Sequence, residues 1–326
     1  MAAPMARSNA EIEAGFAANL HRLTGIETGW AEQPRLGLAV SGGPDSLALL
    51  LIAHTQFPGA FRVATIDHRL RPEAAEEAAY VAQICAERGI DHAILSPEQP
   101  ITGNLQSAAR DARYGLLAQW ADDNNLDWIA TAHHADDQLE TLLMRIARGS
   151  GIAGLSGVRE TNGRIIRPLL GFTKKELVVY CAAHGVAPCD DPSNSNADFD
   201  RVQFRNWLAS APSTLDARRT SRTVAALSDA HTALEWAAAQ IANDRLVRPS
   251  DGKVRLDPQG LPSEFVRRLL ILALQAVDPA IDPRGSTTDR ALAALAAGET
   301  LTIGNILCRG GPIWHFQPAP ERRQNH

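Results

Sequence analysis

Six residues, Ser41-Gly42-Gly43-Pro44-Asp45-Ser46, separate a short apolar run, Leu36 to Val40, from a second one, Leu47 to Ile52. That order spells strand, tight turn, helix. It constrains the chain more than any other segment. Glycine lets the turn bring backbone N–H groups close to a ligand. The helix that follows presents unpaired N–H groups and the positive end of its dipole. Ser41 and Ser46 add hydroxyl donors. A turn of this kind suits a phosphate or a pyrophosphate.

The commonest phosphate loops do not match. A Walker loop needs G-x-x-x-x-G-K-[ST], and no lysine stands here. A dinucleotide fingerprint needs G-x-G-x-x-G, and the Gly42-Gly43 pair breaks that spacing. The remaining pattern, S-G-G-x-D-S, resembles the PP-loop of the ATP pyrophosphatases, which cut ATP between its α and β phosphates to make an adenylated intermediate. An ordinary glycine turn before a Rossmann-type helix is the alternative.

Around this turn, strand signals lie at 36–40, 61–67, 91–95 and 127–132, and helix signals at 45–56, 73–88, 105–123 and 135–148. Such alternation predicts βαβ units and a mainly parallel, doubly wound α/β sheet. The strands are apolar without in/out alternation, as in a sheet covered on both faces. Ligands of such sheets gather at the carboxyl ends of the strands, so the loops after 40, 67 and 132 carry the interest. Further on, Arg164 to Leu170 reads as a strand ending at Pro168. A helix at 173–184 follows, with Thr173 as N-cap and Glu176 completing a capping box. Helix signals return at 200–209, 216–245, 262–277 and 286–297; residues 249–252 mark a turn, and 299–317 a small hairpin pair. The expected architecture is a catalytic domain, 1–214, and a smaller, mainly helical accessory domain with a short β tail, 215–326.

The chain has 326 residues, 45% hydrophobic and 21% charged, ordinary for a globular protein. No segment is long and apolar enough to span a bilayer, and the N-terminus lacks the apolar stretch of a signal peptide. Cys85, Cys181, Cys189 and Cys308 show neither C-x-x-C nor zinc spacing. Cytoplasm is the expected location, and no membrane partner is expected. The net charge of −5 argues against a generic nucleic-acid binder, but residues 201–326 carry +4 while residues 1–200 carry −9.

Chemistry concentrates in His133-His134-Ala135-Asp136-Asp137-Gln138-Leu139-Glu140-Thr141. This stretch begins at the same sheet edge as the glycine turn. Asp136 and Glu140 are i,i+4 neighbours, as are His133 and Asp137, while Asp137 and Glu140 are i,i+3. One helical turn therefore aims two or three carboxylates into the cleft. Carboxylates beside ATP usually hold Mg²⁺. A dinuclear metal hydrolase and a capped helix with a solvated acidic face are the other readings. Weaker signals are Asp67-His68-Arg69-Leu70-Arg71-Pro72, the Arg110/Arg113 pair on helix 105–123, and Asp190 to Asn194 followed by Arg201 and Arg205. For both arginine pairs a solvated surface is an equal alternative.

Taken together, S-G-G-P-D-S at 41–46, D-H-R-L-R-P-E at 67–73, A-R-D-A-R-Y at 109–114, H-H-A-D-D-Q-L-E-T at 133–141, R-G-S-G-I-A-G-L at 148–155, R-P-L-L at 167–170 and D-D-P-S-N at 190–194 resemble the tRNA(Ile)-lysidine synthetases. The resemblance covers about residues 30–210 and is weaker over 215–326. It implies ATP as co-substrate, Mg²⁺, free L-lysine and tRNA(Ile) with a CAU anticodon as partners, and it leaves room for a homodimer. It assigns Ser41, Gly42, Gly43, Pro44, Asp45 and Ser46 to the pyrophosphate loop. Asp137 would serve Mg²⁺ or the lysine amine, Glu140 the lysine, His133 and Arg113 the ATP or developing charge, and Arg201 and Arg205 the tRNA or phosphates. The family pattern departs after D-P-S-N. Phe199 stands near an expected Tyr, and Val202 takes the place of an expected Asn. The chain is also short for the family, so a reduced C-terminal region is expected. A PP-loop tRNA thiolase and a catalytically inactive tRNA-binding module remain as rivals.

Overall fold

The computed structural model describes residues 7–25, 35–69, 73–98, 105–189, 204, 207–208, 215–248, 253–283 and 285–320. They group into two compact units, Met1–Arg148 with Gly157–Ala225, and Gly149–Ser156 with Ala226–His326. The sequence places a boundary at 214/215; the grouping divides the chain within a helix, Ala217–Arg245. Arg201, Arg205, the loop 190–194, the turn 249–252 and most of the helix expected at 200–209 lie outside the described residues.

The first unit holds strands β1 (Leu36–Ala39), β2 (Phe61–Ile66), β3 (His92–Leu95), β4 (Trp128–Ala130), β5 (Thr161–Asn162) and β6 (Ile165–Ile166), in the order β3-β2-β1-β4-β6-β5. Neighbours run parallel except in the edge hairpin β5–β6. Helices cover both faces, as a doubly wound sheet requires. On one face α1 (Asn9–Thr24), α2 (Pro44–Gln56), α3 (Glu73–Glu87) and α7 (Lys174–Ala183) supply Phe16, Leu47, Leu50, Val81 and Tyr180 to one core. On the other, α4 (Leu105–Asp123) packs Leu117, Trp120 and Ala121 against Ile129 and Ile165. A Cβ added at Gly37 would lie 2.5 Å from the Trp120 ring, so this glycine in β1 leaves the space the indole fills. The chain leaves β1 for β2 on one side, while β4 lies on the other. The carboxyl ends of β1 and β4 therefore flank the topological switch point, where open α/β sheets bind ligands.

Helix α1 is an element the sequence reading does not name. Ser8 and Glu11 cap it reciprocally, and Ile12, Phe16 and Leu20 form its buried stripe. The N-terminus of α7 forms as expected. Thr173 caps it, and the buried Glu176 carboxylate accepts from both the N–H and the hydroxyl of Thr173 at 2.8 Å. Arg218, in the first turn of α8 (Ala217–Arg245), pairs with the same carboxylate. The ring of Phe172 carries the Arg7 guanidinium 4.8 Å from its centroid.

The second unit contains the short α6 (Ile152–Leu155), the later part of α8, β7 (Leu246–Val247), β8 (Val254–Leu256), α9 (Ser263–Val277), α10 (Gly285–Ala296), β9 (Thr300–Ile303), β10 (Ile306–Arg309) and β11 (Trp314–Pro318). The expected helices are present, and the expected tail hairpins extend into a five-stranded antiparallel sheet, β7-β8-β11-β10-β9. Its buried side chains, among them Leu256, Ile306, Trp314 and Phe316, pack with Leu269, Leu270 and Leu295 in one core. Buried Arg268 donates to Glu264 at 2.9 Å and to His231 at 3.0 Å, tying α9 to α8. No helix among the described residues is long and apolar enough to cross a membrane.

The Glu176 cap supplies a test of the first unit. Burial alone would raise its carboxyl pKa; the Thr173 bonds and Arg218 overcome that and hold it below the ordinary 4.5. A depressed carboxyl stabilises the fold fully above its unfolded value and loses that contribution as pH falls through the folded value. Glu176→Gln should cost about 2–4 kcal/mol at pH 7, the scale for breaking a buried charge pair. In urea titrations the gap between variant and wild type should narrow steadily below pH 4.5.

Candidate active site

The turn after β1 is braced from within. Gly43 is the N-cap of α2 in extended conformation and Pro44 opens the helix, where its missing N–H costs nothing. Gly42 has φ +85°, in the left-handed region. Ser46 is buried beneath the turn. Its Oγ accepts the Ser41 N–H at 3.0 Å and donates to the Gly43 carbonyl at 3.0 Å. This hydroxyl therefore shapes the loop, whereas Ser41 is exposed at its rim. The Cys189 N–H closes on the Gly42 carbonyl at 3.0 Å, which turns that oxygen away from any anion held by the loop's N–H groups.

Across the switch point, α5 (Ala135–Ala147) starts directly after β4. Its N-cap is His134, whose N–H donates to Asp137 Oδ2 at 3.0 Å. The His134 ring is buried and lies among three carboxylates. Nε2 is 3.4 Å from Asp45 Oδ2 and 3.7 Å from Asp137 Oδ2, and Nδ1 is 3.6 Å from Asp136 Oδ2. Burial alone would push the imidazole toward its neutral form. Asp136, Asp45 and Asp137 outweigh this and push its pKa up to about 10, so the ring is an imidazolium at neutral pH. Asp136 is buried enough to favour protonation, but His134 and the Lys174 N–H, which it accepts at 2.7 Å, hold its pKa below the ordinary value. The starts of α2, α5 and α7 thus converge on one charged junction. With one cation among three carboxylates, the junction keeps an excess of negative charge.

The sequence reading gives a role to His133 and none to its neighbour His134. The structure places His133 Nδ1 3.0 Å from the Thr131 hydroxyl, half-buried at the end of β4. Asp137 and Glu140 both lie on the first turns of α5, Glu140 buried and Asp137 largely so. The signal that could have found His134 is its place immediately before the first α5 residue, in N-cap position with an acid three residues on. The weaker loop after β2 also comes into play. His68 has both ring nitrogens buried without a hydrogen-bond partner among the described residues. Burial lowers its pKa, and the nearby charge of Arg113 on α4 lowers it further against the opposing effect of Asp67. His68 and Arg113 are therefore neighbours at the carboxyl edge. Arg110 instead stacks on Tyr114, 5.1 Å from the ring centroid.

The acidic junction fits a shared cation rather than a caged one. Among the described residues no three His, Cys, Asp or Glu side chains form a metal-holding group. Mg²⁺ needs none, because it keeps several waters and is completed by phosphate oxygens. Asp45 Oδ1 is buried with no hydrogen-bond partner, and it stands in the first turn of the helix that the loop opens. Asp45 and Asp137 are the residues that would hold such an ion.

Residues 12–211 match the model of a PP-loop domain family. The tRNA(Ile)-lysidine synthase of Zymomonas mobilis is 41% identical over 300 residues, covering 89% of this chain and 90% of that protein. The tRNA(Ile)-lysidine synthase of Ruegeria pomeroyi is 42% identical over 294 residues, covering 86% of this chain and 70% of that protein. A solved U34-tRNA thiolase from Methanococcus maripaludis superposes with a TM-score of 0.55 at 15% identity, covering 68% of this chain and 78% of that one, a likeness of fold alone. The braced glycine turn and the acidic helix start at one switch point, together with these relatives, place the chain in the tRNA(Ile)-lysidine synthase family of PP-loop ligases.

Proposed function

We propose that this chain joins free L-lysine to C2 of the wobble cytidine of tRNA(Ile) bearing a CAU anticodon, using ATP and giving lysidine, AMP and diphosphate. The observation that carries the reading is the His134 junction, which holds the anion-binding turn against an acidic helix start. In the first step the cytidine C2 oxygen attacks the α-phosphorus; an O–P bond forms, the α–β bridge breaks and diphosphate leaves. The N–H groups of Gly42 and Gly43, the Ser41 hydroxyl and the start of α2 take the diphosphate. Mg²⁺, held by Asp137 with Asp45, would offset charge on the phosphates. His133 and Arg113 contact ATP or the charge that develops on it. In the second step the lysine ε-nitrogen attacks C2, the C2–O bond breaks and AMP departs with that oxygen. Asp137 and Glu140 bind the ε-ammonium and accept its proton. Arg201 and Arg205 guide the tRNA or its phosphates, and residues 215–326 supply further contacts to it.

Thiol chemistry finds little support at three of the four cysteines. Burial holds the thiols of Cys85, Cys181 and Cys308 up at about 11, 12 and 12, so they carry almost no thiolate at neutral pH.

Incubation with ATP, Mg²⁺, labelled lysine and unmodified tRNA(Ile) should transfer label to the tRNA, and replacing the wobble cytidine by uridine should abolish transfer. No transfer alongside a working control would refute the reading. Asp137→Ala and Glu140→Ala should each lower incorporation by about 100-fold or more, the scale of a lost acid–base or charge contact. Wild-type rates in either variant would remove that residue from the site.

Gly42→Ala isolates the turn. The nearest atom to the added Cβ is Cys189 Sγ at 3.5 Å, an ordinary contact, so the cost is backbone strain at positive φ. It should be about 1–2 kcal/mol in thermal unfolding. Tighter loss should appear in the KM for ATP than in the KM for lysine.

A further inference from the structure

Arg167 follows β6 directly and is 4% exposed. Its Nη1 donates to the Arg159 carbonyl at 2.6 Å, and its Nε is buried with no hydrogen-bond partner. No carboxylate pairs with it among the described residues. The other well-covered arginines are satisfied differently: Arg268 has Glu264 and His231, and Arg218 has Glu176. A buried cation with one carbonyl and no counter-charge among the described residues is costly unless something beyond them completes it.

Its place in the sheet bears on what that something is. β6 lies beside β4, with Ala130 opposite Ile166, and the Thr131 N–H donates to the Ile166 carbonyl at 2.9 Å. Arg167 is thus the next residue at the carboxyl edge, one strand over from Thr131, His133 and the acidic start of α5. Strands in a sheet are about 4.8 Å apart. A zwitterion with its ammonium on the α5 carboxylates could therefore place a carboxylate on the next strand end, across the length of a lysyl side chain. The backbone around Arg167 is held in place for such a role. Its N–H donates to the Glu160 carbonyl at 2.9 Å, and Gln138 of α5 exchanges two 2.8 Å bonds with Val158 in the same loop.

We infer that Arg167 binds the α-carboxylate of the amino-acid substrate and so selects a free amino acid over other primary amines. This rests on the proposed use of lysine. The test measures tRNA-dependent incorporation of lysine, lysinamide and 1,5-diaminopentane by wild type, Arg167→Gln and Arg167→Lys, with thermal unfolding as a folding check. Wild type should prefer lysine over both analogues by about 30-fold or more, the scale of a lost contact to a desolvated charge. Arg167→Gln should raise the KM for lysine by a similar factor, leave the KM for ATP near wild type, and treat lysine and lysinamide alike. Arg167→Lys should recover part of the preference, and it also carries the test if the glutamine variant does not fold. If the folded variants keep the full preference, or if they raise the KM for ATP or tRNA while the lysine-to-lysinamide ratio stays unchanged, the anion is a phosphate or Arg167 is structural, and the inference falls. Wild-type enzyme that uses none of the three amines would instead refute the proposed function itself.

Discussion

The imidazolium of His134 is the interaction on which the first unit's active edge depends. It faces a carboxylate from the first turn of α2 and two from the first turn of α5, and Asp136 in turn accepts the first N–H of α7. Each of these helices starts at the carboxyl edge of the sheet, so their positive dipole ends converge there. Acidic side chains in first turns favour that arrangement, each by a fraction of a kcal/mol up to about 2 kcal/mol when partly buried. The same groups would repel one another without a cation between them. His134 supplies that cation within the fold and so sets the spacing of the three helix starts.

A second consequence concerns the turn itself. Asp45 stands in the first turn of α2, where a carboxylate could compete with an anionic ligand for the helix N-terminus. Its ion pair with His134 engages the carboxylate on the α5 side. Ser46 meanwhile takes the Gly43 carbonyl, and Cys189 takes that of Gly42. These two carbonyls are thereby occupied, and the loop's glycine N–H groups are left as donors. The anion-binding property of S-G-G-P-D-S depends on these partners as much as on its glycines.

Much of this was legible in the chain because the relevant signals are local. Apolar runs broken by glycine placed β1, β2, β4 and the helices after them within a residue or two, and the Thr173–Glu176 capping box marked α7. Less local features escaped. His133 and His134 are adjacent, and choosing between them requires knowing which one the chain turns under the sheet edge; the His134 partner Asp45 lies on a different βα unit. The strands β7 and β8 are two and three residues long, too short for a period-two pattern to stand out; β11 offers β8 an edge, and β8 in turn offers one to β7. Arg167 enters the sequence reading as the first residue of R-P-L-L at 167–170, with no role of its own. Its burial with no carboxylate partner among the described residues singles it out, and burial is a property of the whole sheet.

Following the strand order β1, β4, β6 along the carboxyl edge, the chemistry alternates. Backbone donors follow β1, carboxylates follow β4, and a guanidinium follows β6. That order lets His134 pair the first two positions when no ligand is bound, while the guanidinium has no carboxylate partner among the described residues. It also imposes a spacing of one strand on any molecule that answers all three. On the inference drawn for Arg167, a nucleotide phosphate would satisfy the first position and an amine the second, and the third would be paired where the amine carries an acid at its far end. Selection of the nucleophile would, on that inference, be coupled to the pairing of a buried charge, and a substrate that lacks the acid would leave that charge exposed to the cost of burial.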